Sequence, residues 1–214
     1  MKKFIKIILI IFMVMAAFRP AFAAVLFSGD GVWGDFNASL AYNSINTTSA
    51  SITISLTNTS PVANGGLLTG FVFNNPSNLI TAVNSTSFSN TNFQLLGLAD
   101  NGVSASPDGD FDLGAALGGN FLGGGSPNSG IPVNGSETFI FYVTGNNLNS
   151  LTEFSFINET AYGSKEFFLA RFRGFENDAS DKVPGRTATP EPASLTLLGL
   201  GIIGLTALGR KGKK

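Results

Sequence analysis

Between residues 36 and 57 the chain alternates apolar and polar side chains with a period of two. Phe36, Ala38, Leu40 and Tyr42 interleave with Asn37, Ser39 and Asn43. Ile52, Ile54 and Leu56 interleave with Ser51, Thr53, Ser55 and Thr57. That period puts one face of a strand in a core and the other in water. The runs 67–73, 93–98, 138–143, 153–157 and 166–172 predict further strands. Several are apolar on both faces, as expected of inner strands or of strands under a covering loop. Segments rich in Asn, Gly and Pro at 58–61, 64–66, 74–76, 101–102 and 145–147 supply the turns. The pattern predicts an all-β chain, with an antiparallel β-sandwich or jelly-roll-like domain over residues 24–183. Helical periodicity is confined to the termini, apart from a short helical turn expected around 111–117. The Gly-rich stretch 114–131 contains no Gly-Lys-Ser/Thr and reads as a long surface loop. Residues 179–189, with Pro184 and Gly185, read as a polar linker that holds the domain off a membrane.

The ends carry a different pattern. Lys2, Lys3 and Lys6 precede an apolar run over 7–18, and Ala21 and Ala23 provide a small-residue cleavage site. This predicts a signal peptide over 1–23, with the mature chain starting near Ala24. At the other end, Pro190-Glu191-Pro192 precedes 17 residues (193–209) interrupted only by Ser194, Thr196 and Thr206 as polar side chains. Arg210, Lys211, Lys213 and Lys214 follow. The run is at the lower limit for a transmembrane helix, and the basic tail is expected to stay cytoplasmic. The flanking prolines keep Glu191 out of a helix and extended at the membrane surface.

Pro190-Glu191-Pro192-Ala193-Ser194-Leu195, followed by Leu197-Leu198-Gly199-Leu200-Gly201 and a basic end, closely resembles the PEP-CTERM sorting signal. The resemblance implies an exported surface protein of an exopolysaccharide-producing Gram-negative bacterium or a relative. It also implies recognition and cutting by exosortase, a membrane-embedded transpeptidase-like enzyme, with Pro190, Glu191 and Pro192 as the sorting motif. The body, in segments such as Leu68-Thr69-Gly70-Phe71-Val72-Phe73-Asn74, looks like domains often attached to this signal. That second likeness implies no activity.

Charge and composition narrow the chemistry. Residues 24–189 hold thirteen acids against five cations, a formal charge of −8. Such a body is repelled by phosphate backbones, so no nucleic-acid partner is expected. The chain contains neither Cys nor His, which removes disulfides, thiolate chemistry and the commonest general base.

Within the body, Asp108, Asp110 and Asp112 alternate along one loop and are the candidate metal ligands, as hard oxygens for calcium. No cation is close in sequence. The EF-hand pattern fails, because Leu113 and Gly119 stand where Gly and Glu are needed. The plainer reading is a solvated acidic turn without a cofactor. Asp178 and Asp181 are expected to pair at the surface with Arg171, Arg173 and Lys182. Trp33, Tyr42, Tyr142 and Tyr162 could stack on sugars or serve the core. Six Asn-x-Ser/Thr sites begin at Asn37, Asn46, Asn58, Asn84, Asn134 and Asn158. The expected function is a non-enzymatic cell-surface or matrix protein associated with exopolysaccharide. The alternatives are a carbohydrate-binding module or adhesin and, behind it, a carboxylate-based glycan hydrolase.

Overall fold

The computed structural model describes residues 24–187. Ala21, Ala23, Pro190, Glu191, Pro192 and the apolar run with its basic tail lie outside the described residues. Among the described residues no helix is long and apolar enough to cross a membrane.

The alternation around residues 36–57 produces two neighbouring strands, β2 (Asp35–Ser44) and β3 (Ser49–Asn58). They lie inside a six-stranded antiparallel sheet with β1 (Ala24–Asp30), β5 (Ile80–Phe88), β10 (Ser136–Gly145) and β13 (Arg186–Thr187), in the order β13-β1-β2-β3-β10-β5. Facing it is a five-stranded sheet of β4 (Gly65–Phe73), β6 (Phe93–Gly97), β9 (Leu113–Leu117), β11 (Phe168–Phe175) and β12 (Ser180–Pro184), in the order β12-β11-β4-β9-β6. A small hairpin, β7 (Val103–Ser104) with β8 (Asp110–Phe111), stands apart from both. The domain is an antiparallel sandwich, as the periodicity predicts. At each lateral seam the chain itself steps from one sheet to the other: β5 leads into β6, and β12 leads into β13 through Gly185. The sandwich edges are thereby tied without disulfides.

Phenylalanine fills the interior. The Phe71 ring centroid lies 4.8 Å from Phe139 on the opposite sheet and 5.7 Å from Phe168 on its own. All three are buried. Such aromatic pairs add about 0.5–1.5 kcal/mol beyond their buried area. Phe71 and Leu68 both reach this core although they are three residues apart. A bulge permits it: Arg171 pairs with Gly70 and Phe172 with Leu68, which leaves Thr69 as the extra residue. The bulge reverses the facing of every residue on one side of it.

Four expectations change. Residues 153–157 form no strand: α1 (Glu153–Asn158) is a helix, with the Thr152 amide donating to Ser155 Oγ at 3.1 Å. Its helical turn buries Phe156 against Tyr42 and Phe73 and leaves Phe154 54% exposed, so two aromatics two apart do not share a face. The helical turn expected around 111–117 is extended chain instead. Residues 114–117, expected to open a surface loop, belong instead to the inner strand β9, in which every residue is buried. Small side chains allow it, since a Cβ on Gly114 would stand 2.9 Å from the Val72 Cα. The expected linker is also folded: β12 pairs with β11, and Thr187 of β13 pairs with Phe27.

Candidate functional site

The outer face of the five-stranded sheet is not left to water. Val72, Ala116, Leu169 and Leu96 point out from it, and Val103, Ala105, Phe111, Phe121 and Ala161 cover them as a second buried apolar cluster. Segments 97–112, 118–125 and 159–166 therefore form a fixed cap. The strands that read as apolar on both faces are those under this cap.

The cap contains the Asp-rich segment, and it sends the three carboxylates to three places. Asp108 Oδ2 lies 2.6 Å from Lys182 Nζ. The same ammonium donates to the carbonyls of Ala105 at 2.8 Å and Ser106 at 2.5 Å. A cation thus reaches this loop from β12, although none is near in sequence. Asp112 is buried and accepts backbone hydrogen bonds from Asn75 at 2.8 Å and Asn101 at 2.6 Å. Asn75 in turn exchanges side-chain hydrogen bonds with the backbone of Ile80, both at 2.9 Å. Asp110 is half-buried like Asp108 but, among the described residues, makes no ion pair and no side-chain hydrogen bond. The structure does not gather Asp108, Asp110 and Asp112 into one ligand set. Among the described residues no group of three Asp, Glu, His or Cys is placed to hold a metal ion.

Asp110 instead belongs to a row. It is the register partner of Ser104 across the β7–β8 hairpin. On its other side it forms an isolated antiparallel bridge with Tyr162: the Asp110 amide donates to the Tyr162 carbonyl at 3.0 Å, and the Tyr162 amide returns the bond at 3.1 Å. Directly opposed residues project to the same side of a ladder. Val103, Phe111 and Ala161 turn inward to the second cluster, so Ser104, Asp110 and Tyr162 turn outward together. They line an open cleft of about 330 Å³ with Ser106, Pro107, Gly109 and Gly163. Gly109 has φ +99°, and a Cβ there would stand 2.7 Å from Ser164 Cβ and 2.8 Å from the Tyr162 carbonyl. Only glycine lets the two segments approach this closely.

At one end of the sandwich the turn between β1 and β2 presents Trp33, 38% exposed and tilted against Phe175 at 6.4 Å. Asp181 supports this turn by accepting from the amides of Trp33 at 2.8 Å and Gly34 at 3.1 Å. Asp35 accepts from Gly31 at 3.1 Å and stands opposite Asp30. Burial, the neighbouring Asp30 and more distant Asp181 push the Asp35 carboxyl above its ordinary value, against the opposing Gly31 hydrogen bond.

The expected pairing of Asp178 and Asp181 with Arg171, Arg173 and Lys182 is replaced by other contacts. Arg173 holds the Gly-rich segment, donating to the carbonyls of Gly124 and Gly125 and, from Nε at 3.3 Å, to Thr69 Oγ1. Arg171 Nε is buried without a hydrogen-bond partner among the described residues. Burial, and then the charge of Arg173, lower the Arg171 pKa. Arg186 pairs with Glu166. Tyr42 is a core residue: its hydroxyl donates to the Leu148 carbonyl at 2.7 Å, and burial pushes its pKa up to about 12. Tyr142, Trp33 and Tyr162 remain accessible. Asn58 is fully buried and donates to the carbonyls of Gly66 and Ile131, so it is closed to a glycan.

Sequence reasoning flagged Asp110 and Tyr162 separately, missed Ser104, and assigned Lys182 to Asp178 and Asp181 where the structure pairs it with Asp108. The alternation Val103-Ser104-Ala105 against Asp110-Phe111-Asp112 was the available signal, a short hairpin with one wet face.

No curated protein matches this chain. No solved structure matches it either. The family profile described as the PEP-CTERM protein-sorting motif matches residues 188–211. The chain therefore carries the PEP-CTERM sorting motif directly after its β-sandwich, which marks it as an exported protein targeted to exosortase and sorted to the cell surface.

Proposed function

We propose that the protein is a non-catalytic cell-surface or extracellular-matrix component, processed by exosortase and held among exopolysaccharide. The observation that carries this reading is the junction at residue 187. Strand β13 ends at Thr187 and the sorting motif begins at residue 188, so the sandwich is the cargo that the motif delivers. Before processing, the apolar run over 193–209 anchors this cargo in the membrane. The side chains that could supply acid–base chemistry support a structural role. Asp108, Asp112 and Asp181 hold a lysine or backbone amides, and the chain has no His or Cys to take over the work.

A second reading, a carbohydrate-binding module or adhesin, is favoured by Trp33 and Tyr162. Both are large aromatics presented to solvent on turns that backbone hydrogen bonds hold in place. The experiment follows the native protein in the producing cells. Intact mass reads the processing at both ends, and extraction with and without a polysaccharide-degrading treatment reads the association. A surface protein lacking the apolar tail, released with the polysaccharide, is the expected result. Full-length protein dissolved in the cytoplasm would overturn it. Accumulation of reducing ends from the polysaccharide would favour a hydrolase.

A further inference from the structure

We propose that Ser104, Asp110 and Tyr162 form a subsite for one uncharged pyranose unit of an extracellular polysaccharide. This rests on the reading of the protein as exopolysaccharide-associated and names the surface that makes the contact.

The geometry is that of a short platform. An antiparallel pair that exchanges both hydrogen bonds sets its Cα atoms about 5.5 Å apart, and Asp110 and Tyr162 are such a pair. Ser104 continues the row on the other side of Asp110. A hydroxyl, a carboxylate and a phenol ring thus stand side by side over a width comparable to one sugar ring.

Each member is available. Tyr162 is 70% exposed, the most of any aromatic among the described residues, and belongs to neither apolar cluster. A phenol ring buries the apolar C–H face of a pyranose while its hydroxyl stays wet. Asp110 takes part in no ion pair and no side-chain hydrogen bond among the described residues, so both carboxylate oxygens are open to adjacent sugar hydroxyls. Gly163 adds no side chain, and a Cβ there would meet nothing within 4 Å.

The platform is also pre-arranged. Lys182 ties the 105–108 turn to β12 through one carboxylate and two carbonyls. Ala161 and Phe111 anchor the row from beneath. Binding to such a frame costs little ordering entropy. The charge selects the ligand class. Lys182 is already committed to Asp108, and the Asp110 carboxylate repels uronate and phosphate groups, so a neutral sugar fits.

The test uses the full-length chain in detergent, in affinity electrophoresis through gels containing a neutral β-glucan, a galactomannan, alginate or the polysaccharide of the producing cells. Retention is expected on a neutral polymer and not on alginate. Tyr162→Ala and Asp110→Ala should each weaken retention about tenfold. Tyr162→Phe should bind like the parent, and Tyr142→Ala, on the other sheet, should change nothing. Melting temperatures check that the exposed Tyr162→Ala variant stays folded. Parent and Tyr162→Ala chains retained equally would refute the subsite and leave the exopolysaccharide reading standing. No retention of the parent on any of the polymers would remove both.

Discussion

Lys182 on the edge strand β12 places its ammonium 2.6 Å from the Asp108 carboxylate on the cap, joining two segments that the sequence separates widely. The pair is partly exposed, so its own Coulombic worth is about 0–1 kcal/mol. The larger contribution is the two loop carbonyls that the ammonium also satisfies. Lys182→Met should therefore destabilise by roughly 1–2 kcal/mol, and Asp108→Asn by less. Urea unfolding of the two variants measures the difference. Equal losses would assign the stabilisation to the ion pair alone.

Asp112 should matter more than Asp108. It is buried and holds the amides of Asn75 and Asn101, so Asp112→Ala strands two donors and should cost roughly 2–4 kcal/mol. Asp112→Asn keeps one acceptor and should cost about half of that. Both carboxylate oxygens are committed to the backbone, so a chelator should leave the melting temperature of the parent unchanged. A tightly bound native-state calcium ion would instead make that temperature fall on chelation.

The core prediction separates two phenylalanines. Phe71 touches Phe139 across the sandwich and Phe168 within its sheet, and is fully buried. Phe71→Ala should cost roughly 3–5 kcal/mol. Phe154 is 54% exposed on α1, and Phe154→Ala should stay within about 0.5 kcal/mol of the parent. Thermal or chemical unfolding distinguishes the two.

Asp35 gives a pH dependence with a definite sign. Its folded pKa is raised above the ordinary value of 3.8, chiefly by burial and then by Asp30, against the Gly31 hydrogen bond. Ionising it is therefore harder in the folded chain than in the unfolded one. The penalty is absent below the unfolded pKa, grows as pH rises from about 3.8 toward the raised value, and is complete above it. Asp35→Asn keeps an oxygen for the Gly31 amide and removes the charge. It should melt above the parent at neutral pH and lose that advantage near pH 3.5. A variant less stable at both pH values would show that the carboxylate itself is needed.

Much of the fold was legible because β2, β3 and β10 each wet one face, and a period of two then survives in the sequence. Legibility failed where a strand is covered on both sides. Residues 113–117 carry Gly114, Ala115 and Ala116, which have no strand preference of their own and are extended because β4 and β6 clasp them. The 153–157 error has the opposite cause. Glu153-Phe154-Ser155-Phe156 alternates like a strand, but Ser155 closes a helical turn onto the Thr152 amide. At the candidate site, Asp110 was visible as an unpaired acid. Tyr162 was visible only as a separate aromatic and Ser104 not at all, because the row depends on a hairpin and a bridge whose register only the folded chain fixes.

The junction between sandwich and sorting motif yields the last prediction. Thr187 still pairs with Phe27, and Pro190 follows three positions later in the sequence. Three extended residues span at most about 11 Å. Chain length therefore gives the Pro-Glu-Pro segment little reach away from the β1–β13 edge unless β13 peels away. That strand is held by two register pairs and by the exposed Arg186–Glu166 pair, so it is a weak latch. Deleting residues 188 and 189 should slow exosortase processing in the producing cells. Inserting Gly-Ser-Gly-Ser after Thr187 should leave it intact or faster, and Glu191→Ala should abolish it if that carboxylate is the recognition charge. Intact mass of the membrane-bound and surface fractions reads all three. Processing of the deletion at the parental rate would show that the enzyme reaches its site without any slack from β13.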